Sequence, residues 1–563
     1  MLKYLTQLDL KTGKEVIRTT LRGKALLGTP LLNKGTAFSH KEREALRLLG
    51  KLPYRVETLE EQLVRAKNQY LRYTNNLKKY IYLNNLHDKN EILFYKLLAD
   101  NLSETLPKIY TPGVSDAVKE FSQEFRQPRG LYIAYPDRDK IAEIIENRTH
   151  AEIDLIVATD GERILGIGDQ GIGGIDIPIA KLIVYTVCGL DPYKTLPIML
   201  DVGTDNPTLL NDPAYLGWRH PRVRGQDYDD FIADFVKIVK QKFPKSFLHW
   251  EDFAQQHARK ILETYREVHC SFNDDMQGTG VVTLAALLSA VQASNSALKD
   301  QRIVVFGAGI AGVGIADQLY AALVREGVAP EVAKAQFWLV DRSGLLTQAT
   351  KDPAFFQKPY LRPASPETLA QNDLLSVVQA VKPTILIGCS TVHNAFSQAV
   401  VRAMAAGVER PIIFPLSNPN EKSEAHPENL LLWTQGKALI ATGSPFEPVH
   451  YQDKIIEIAQ CNNAFAFPGI GIGALAAQAS QVTDNMLWAA AVALAQHSPA
   501  RLDPTKPLLP AVTEIPTIAR ELGLAVAEQA RKDGVSGIGA EVNLKTLIAS
   551  QCWEPVYREI WPA

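Results

Sequence analysis

Apolar residues recur at helical spacing from about residue 38 to residue 125. The segment ETLEEQLVRAKNQYLRYTNNLKKYIYL places them three and four positions apart, which is the spacing of one helix face. Ser39 opens another helical segment, and Glu42 stands three residues later, which is the pattern of a capping box. We therefore expect a helical N-terminal region over residues 1–125.

From about residue 126 the pattern changes to short β-branched runs that end in Gly, Asp or Pro. The predicted strands are GLYIAYP, AEIDLIVATDG, RILGIGD, LPIMLDVG and KSFLHWEDF. The apolar segment PIAKLIVYTVCGL lies between them and is predicted to be a helix. Strands that alternate with helices predict an α/β domain over residues 126–275.

A second α/β block is predicted over residues 276–460. It opens on the apolar helix GTGVVTLAALLSAVQAS and continues with the buried strands RIVVF, FWLVD, PTILIGCS, PIIFPLSNP and KALIATGS. This arrangement is typical of a doubly wound, nucleotide-binding Rossmann domain. After residue 460 the pattern becomes helical again, and the chain ends in a polar, aromatic tail.

Charge and composition exclude several classes of protein. Lys and Arg total 60 and Asp and Glu total 62, so nothing calls for a nucleic acid or an anionic membrane as partner. The five cysteines are widely spaced and form no CxxC, which indicates reduced, cytosolic usage rather than a disulfide framework. The N-terminus lacks a signal-peptide core, and no apolar run reaches the length of a membrane span. We expect a soluble, cytoplasmic protein.

A dinucleotide-binding fingerprint follows the strand RIVVF. Gly307, Gly309 and Gly312 form GAGIAG, which permits a tight turn, close approach of a pyrophosphate and close packing of the next helix. Asp341 ends the strand FWLVD and is placed to accept hydrogen bonds from the adenosine ribose. It lies 29 residues past Gly312, further than usual, and Arg342 beside it could contact a 2′-phosphate. We predict NAD rather than NADP; a close-packed turn without ligand is the alternative.

Two other glycine clusters imitate this pattern. PGIGIGALA, residues 468–476, is not followed by an acid-terminated strand, so we predict a tight turn into a helix. GIGDQGIGGIDIP, residues 166–178, is expected to form a loop that brings backbone close to the active site.

Two pairs of adjacent acids stand at predicted strand ends. Glu251 and Asp252 follow FLHW, and Asp274 and Asp275 lie in SFNDDMQGTG. Adjacent carboxylates repel unless they are solvated or bind a cation, and oxygen-only ligands suit Mg²⁺ or Mn²⁺. Helix capping by the second pair and a solvated surface for the first pair are the alternatives.

Two further residues could exchange protons. Lys181 is the one charge in the segment IPIAKLIVYTVCGL, and burial would lower its pKa and make it a possible general base. A lysine whose charge reaches solvent along an apolar surface is the alternative. Tyr110, in the turn KIYTPGV, could serve as a general acid or simply pack against its neighbours.

Taken together, these motifs resemble the malic enzyme family. They occur in one order along the chain: YTPGV, TDGERILGIGDQG, IPIAKL, DVGTDN, WEDF, FNDDMQGTG, GAGIAG, LSNP, GSPF and NNAFAFPG. The resemblance runs from about residue 30, which includes LLNKGTAFSHKERE, to beyond residue 490.

The resemblance implies roles for the matching residues. Tyr110 would be the general acid, Lys181 the general base and Asp274 the acid that orients Lys181. The three metal ligands would be Glu251, Asp252 and Asp275. The residues that contact substrate or cofactor would be Arg163, which pairs with a carboxylate, and the amides Asn418 and Asn463.

The implied activity is oxidation of L-malate by NAD, with Mg²⁺ or Mn²⁺, and decarboxylation to pyruvate and CO₂; decarboxylation of oxaloacetate is an expected side activity. A malolactic enzyme, which makes lactate, and a non-catalytic NAD-binding regulatory protein are the alternatives. Some relatives are activated by fumarate through two arginines, but here the matching residues are Arg65 and Lys89, so we do not expect this site.

The implied fold is α/β, with the Rossmann domain (276–460) inserted in the smaller α/β domain (126–275, completed by about 461–533). The helical N-terminal region (1–125) precedes them and a C-terminal tail (534–563) follows. The family resemblance also implies a homotetramer, a dimer of dimers.

Overall fold

The computed structural model describes residues 4–9, 13–148, 151–164 and 166–563. Leu165, in the predicted strand RILGIGD, lies outside the described residues. So do residues 1–3 and 10–12 of the predicted N-terminal region and residues 149 and 150. The two largest sheets, one parallel and one parallel except for an edge strand, are covered by helices, so the predicted α/β class is confirmed.

The N-terminal region begins with strands that the sequence analysis did not predict. β1 (Tyr4–Asp9) and β2 (Lys14–Thr19) form an antiparallel hairpin. Helices then fill the region, and Ser39 and Glu42 form the predicted capping box at the start of the second helix. The helices are α1 (Gly23–Leu27), α2 (His40–Ala45), α3 (Leu59–Leu71), α4 (Asn76–His87), α5 (Glu91–Asp100), α6 (Leu102–Ile109) and α7 (Val114–Glu124).

The first sheet is entirely parallel, with strand order β3-β5-β4-β6-β7. Its strands are β3 (Leu131–Ala134), β4 (Leu155–Thr159), β5 (Thr195–Asp201), β6 (Phe247–Trp250) and β7 (Ser271–Asn273). Its helices are α8 (Ile141–Glu146), α9 (Asp176–Val187), α10 (Pro207–Asn211), α11 (Gln226–Lys242) and α12 (Gln255–Tyr265). Four of the five predicted strands are confirmed. The predicted strand RILGIGD is wrong. Gly166 and Gly168 have φ of 81° and 75°, so the chain turns here, and a single bridge joins Ile164 to Gly168.

The second sheet has the strand order of a Rossmann domain, β10-β9-β8-β11-β12-β13-β16, and all but β10 run parallel. Its strands, with a separate hairpin of β14 and β15, are β8 (Ile303–Phe306), β9 (Phe337–Asp341), β10 (Gly344–Leu345), β11 (Ile385–Gly388), β12 (Ile412–Pro415), β13 (Leu439–Thr442), β14 (Val449–Tyr451), β15 (Lys454–Ile456) and β16 (Ala459–Gln460). Its helices are α13 (Thr279–Ala293), α14 (Ile310–Arg325), α15 (Pro330–Lys334), α16 (Pro366–Leu369), α17 (Leu374–Val381), α18 (Gln398–Ala405) and α19 (Pro427–Trp433).

The last part of the chain is helical and then returns to the first hairpin. Its elements are α20 (Phe467–Ala476), α21 (Asp484–Gln496), α22 (Ile515–Lys532), α23 (Leu544–Ser550) and β17 (Glu559–Pro562), which pairs in parallel with β2. The predicted turn at PGIGIGALA is wrong, because these residues lie inside α20. Their glycines let α22 approach closely: a Cβ on Gly469 would lie 2.8 Å from the Ala519 carbonyl oxygen.

Most of the apolar side chains of both sheets join one buried core. Within the described part of the chain, one helical segment, Asp274–Ala293, is long and apolar enough to cross a membrane by length and composition alone. In its most apolar window 83% of the residues are buried inside the protein, as in a core helix. All five cysteines are free.

Candidate active site

Acidic residues meet at the carboxyl edge of the first sheet. Glu251 and Asp252 directly follow β6, and Asp274 and Asp275 directly follow β7, its neighbour in the sheet. The ends of adjacent parallel strands lie side by side, so the two pairs face one another. Carboxylate oxygens of Glu251, Asp252 and Asp275 all lie within 4.8 Å of one another.

Local backbone geometry holds these acids in place. Asp252 adopts a left-handed conformation with φ of 59°, and its N–H donates to the carboxylate of Asp275 at 2.9 Å. Asp274 and Asp275 begin one turn of π-helix, residues 274–278, that leads into α13. Gly278 closes this turn, and any side chain there would overlap Oδ1 of Asp274.

Lys181 projects from α9 into the acid cluster. Its ammonium contacts the Asp274 carboxylate and lies 3.0 Å from Oε1 of Glu251, and its side chain is only 2% exposed. Two aromatic rings flank the same ammonium: the centroid of Phe467 lies 4.6 Å away and that of Tyr110 lies 5.3 Å away. Cation–π attraction and two ion pairs therefore fix the position of this charge.

The charge state of Lys181 differs from the expectation. Burial alone would lower the pKa of Lys181, as the sequence analysis assumed, but the carboxylates of Asp274 and Glu251 outweigh burial and hold it well above the ordinary value. Burial raises the pKa of Glu251 to about 7 and that of Asp275 well above its usual range. In this state Lys181 is a cation. Burial away from water disfavours the charged forms of Glu251 and Asp275.

Tyr110 lies at the end of α6 and is buried. Burial raises the pKa of its phenol above the ordinary value, and the negative charges of Asp274 and Glu251 add to this effect. The phenol is therefore protonated near neutral pH and able to donate a proton.

Asn463 connects the C-terminal segment to this cluster. Its amide nitrogen donates to Oδ2 of Asp274 at 2.9 Å and to the hydroxyl of Thr279 at 3.1 Å. One oxygen of Asp274 therefore contacts both Asn463 and Lys181. The other oxygen, Oδ1, is buried and has no hydrogen-bond partner among the described residues.

His249 and Tyr185 also belong to the site, although the sequence analysis missed them. Nε2 of His249 lies 3.0 Å from Oε2 of Glu251, and Nδ1 of His249 lies 3.0 Å from the Tyr185 hydroxyl. The available signal was the alternation of β6, which places His249 on the same strand face as Glu251 two residues later.

The glycine-rich turn lies at the carboxyl edge of the second sheet, where β8 and β11 are neighbours. Gly307 has φ of 102°, and a side chain there would overlap the backbone of Cys389. A side chain on Gly312 would overlap the Gly307 carbonyl oxygen. The crevice between these two strands is the usual place for a dinucleotide.

Asp341 reaches this turn despite its unusual distance along the chain, because α14 and α15 fill the extra length. The side-chain amide of Gln357 donates to the Ala308 carbonyl at 2.8 Å and to Oδ2 of Asp341 at 3.1 Å. The acid and the turn are thus held together. Arg342 is exposed beside them.

Arg163 lies in the segment after β4 of the first sheet, and Asn418 lies in the segment after β12 of the second sheet. The Arg163 backbone N–H donates to the Asp252 carbonyl at 3.0 Å, and its guanidinium contacts the side-chain amide of Gln255, which also lies against Gly309. Asn418 follows β12 and accepts a hydrogen bond from Ser444. Among the described residues, no hydrogen bond joins Asn418 to the acid cluster.

The acid cluster fits a divalent cation. Its donors are three carboxylates, the ligands that Mg²⁺ and Mn²⁺ prefer. The raised pKa values of Glu251 and Asp275 indicate that these buried charges lack sufficient compensation from the protein alone. A bound cation would supply that compensation.

Comparison with known proteins agrees with this geometry. The family model described as malic enzyme, N-terminal domain, matches residues 87–266, and the one described as malic enzyme, NAD binding domain, matches residues 276–531. The chain belongs to the malic enzyme family. Among its relatives, the NAD-dependent malic enzyme of Proteus mirabilis is 48% identical over 544 residues, covering 95% of this chain and 96% of the relative. That of Shewanella oneidensis is 48% identical over 552 residues, covering 97% and 98%.

Solved malic enzyme structures share the fold. The enzyme from Pyrococcus horikoshii superposes with a TM-score of 0.53 at 26% identity, covering 80% of this chain and 87% of that one. The enzyme from Entamoeba histolytica gives a TM-score of 0.57 at 24% identity, covering 90% of each chain, which is evidence about the fold alone.

Proposed function

We propose that this malic enzyme family member oxidises L-malate with NAD and decarboxylates the product, so that malate and NAD⁺ give pyruvate, CO₂ and NADH. The observation that carries the proposal is a buried lysine, Lys181, held between two carboxylates beside a protonated phenol, Tyr110. Such a set can move one proton from an alcohol and deliver another to carbon. The names of the 48%-identical relatives support the same reaction and NAD as cofactor.

Glu251, Asp252 and Asp275 would hold Mg²⁺ or Mn²⁺. When bound there, the cation supplies Lewis-acid chemistry: it polarises the C2 oxygen of malate and stabilises the negative charge that decarboxylation creates. Because the carboxylates around Lys181 hold its proton, compensation of their charge would lower the pKa of Lys181 towards that of a general base.

Bound NAD would supply the hydride acceptor for C2, and Lys181 would accept the proton of the C2 hydroxyl. Asp274 and Phe467 keep the lysine nitrogen in place during this transfer. After CO₂ leaves from C4, Tyr110 donates its phenolic proton to C3, which completes pyruvate. The same second half would decarboxylate added oxaloacetate.

The remaining side chains of the site would bind malate and NAD and orient them. Arg163 would pair with a malate carboxylate, and Asn418 and Asn463 would hold substrate and nicotinamide. Gly307, Gly309 and Gly312 would receive the pyrophosphate, and Asp341 the adenosine ribose. The division into domains, the homotetramer and a cytoplasmic location stay predictions.

A paired assay tests the proposal. Purified protein is supplied with L-malate, Mn²⁺ and either NAD or NADP, and NADH or NADPH, pyruvate and lactate are quantified together. Equal amounts of NADH and pyruvate are expected, with a much slower reaction with NADP. Lactate without free NADH would indicate a malolactic enzyme, and no loss of malate would refute catalysis.

A further inference from the structure

Both oxygens of the Glu251 carboxylate have a partner in the protein. Oε1 lies 3.0 Å from the Lys181 ammonium, and Oε2 lies 3.0 Å from Nε2 of His249. Lys181 has a proposed role in the reaction. His249 has none so far, although it is completely buried and directly contacts a proposed metal ligand.

The position of the imidazole ring is fixed on three sides. The rings of Tyr185, Phe272 and Phe467 meet it edge to face, with centroids 5.9, 5.4 and 5.7 Å away and interplanar angles of 80°, 77° and 79°. A buried ring in such a cage cannot change rotamer without displacing its neighbours. Nε2 is therefore held towards Glu251 before any ligand arrives.

The hydrogen bonds of the ring also set its tautomer. Because a carboxylate only accepts hydrogen bonds, the ring hydrogen lies on Nε2 and is donated to Oε2 of Glu251. Nδ1 is then an acceptor, and the Tyr185 hydroxyl donates to it. The chain of donors from Tyr185 through His249 to Glu251 orients the carboxylate. Partners of this kind, outside the ligands themselves, raise the affinity of a site for its metal.

We propose that His249, held through Nδ1 by the Tyr185 hydroxyl, is a positioning residue that orients Glu251 for divalent-cation binding. The inference rests on the proposed function only in taking Glu251 as a metal ligand. It assigns His249 no contact with substrate or cofactor.

Two substitutions separate hydrogen bonding from packing. In His249→Gln the amide nitrogen can occupy the position of Nε2 and still donate to Glu251, whereas in His249→Asn the amide is too short to reach it. Tyr185→Phe removes one oxygen atom and leaves the aromatic cage. His269→Leu is the control: His269 is buried and hydrogen-bonded to Ser246 at 3.2 Å, but it lies at the opposite end of β7.

The measurement is Mn²⁺ binding to the full-length protein at pH 8 without malate or NAD, followed by the electron paramagnetic resonance signal of free Mn²⁺. His249→Asn should weaken binding by about 10- to 100-fold, and Tyr185→Phe by about 3- to 10-fold. His249→Gln and His269→Leu should stay within about threefold of the wild type. Circular dichroism establishes that each variant is folded.

Equal affinities of His249→Gln and His249→Asn would overturn the proposal, since only the cage would then matter. If His249→Asn does not fold, Tyr185→Phe decides, and unchanged Mn²⁺ binding in that variant would overturn it. Failure of the proposed function looks different: the wild type would bind Mn²⁺ with the expected dependence on His249 but form no pyruvate.

Discussion

Replacement of Lys181 by methionine tests the centre of the proposed mechanism. Methionine keeps an unbranched apolar side chain between Phe467 and Tyr110, so the cavity remains largely filled. It removes the cation that lies against Asp274 and Glu251. The substitution therefore removes the proposed base and also leaves two buried carboxylates without their cationic partner.

The size of each effect follows from the structure. At 3.0 Å from Glu251 the lysine charge contributes about 5 kcal/mol of attraction at an effective dielectric constant of about 20. Loss of one partner of a buried pair typically costs about 3–5 kcal/mol of stability, part of which protonation of Glu251 would relieve. Loss of a general base typically lowers turnover by about 10²- to 10⁴-fold.

Lys34→Met is the matched control. Lys34 is also buried, 6% exposed, and pairs with Glu42 at 2.7 Å, but it lies near β17 in the N-terminal region. Thermal unfolding should show that both variants are less stable than the wild type. Steady-state NADH formation from malate at a temperature where both are folded should be lost only in Lys181→Met.

Two results would refute the reasoning. Turnover of Lys181→Met within about tenfold of the wild type would exclude Lys181 as the base, because proton transfer contributes more than this. If Lys34→Met lost activity to the same extent, the loss in Lys181→Met would be explained by reduced stability instead.

Four further outcomes are expected. Tyr110→Phe should lower kcat for both malate oxidation and oxaloacetate decarboxylation by about 10²- to 10⁴-fold without destabilising the fold, and normal rates would exclude the phenol as the acid. Gly312→Ala should raise the KM for NAD by about 5- to 150-fold, the equivalent of about 1–3 kcal/mol of overpacking, whereas Gly407→Ala, whose added Cβ would have its nearest neighbour at 3.7 Å, should not. Because the pKa of Glu251 is raised from 4.5 to about 7, the metal-free protein should lose stability as pH rises through this range. Mn²⁺ binds the carboxylate form, so its stabilising effect in thermal unfolding should be larger at pH 8 than at pH 6, and an equal effect would contradict the assignment.

Local sequence was sufficient for most of the strands and helices of both sheets. The runs RIVVF and FWLVD became β8 and β9, and the acids at the ends of FLHW and SFN stand at strand ends. These predictions succeed because burial on both faces of a parallel strand requires continuous apolar residues, and because polar residues collect where such strands end.

Elements whose partners are far along the chain escaped prediction. The hairpin of β1 and β2 gains its third strand from β17, more than 500 residues later. No local sequence pattern predicts this pairing. PGIGIGALA has the glycines of a turn, yet it forms part of α20. There the absence of side chains on these glycines lets α20 pack closely against α22, as at Gly473 and Gly523.

The sequence by itself determined which residue types and which order of motifs this protein has, and hence its family, its α/β class and its candidate acids, base and glycine turn. Only the tertiary structure decided the charge of Lys181. Its isolated position predicts a lowered pKa, but Glu251 and Asp274, 70 and 93 residues away in sequence, approach its ammonium and raise it. Electrostatic energy depends on distance in space, and a sequence pattern carries only distance along the chain.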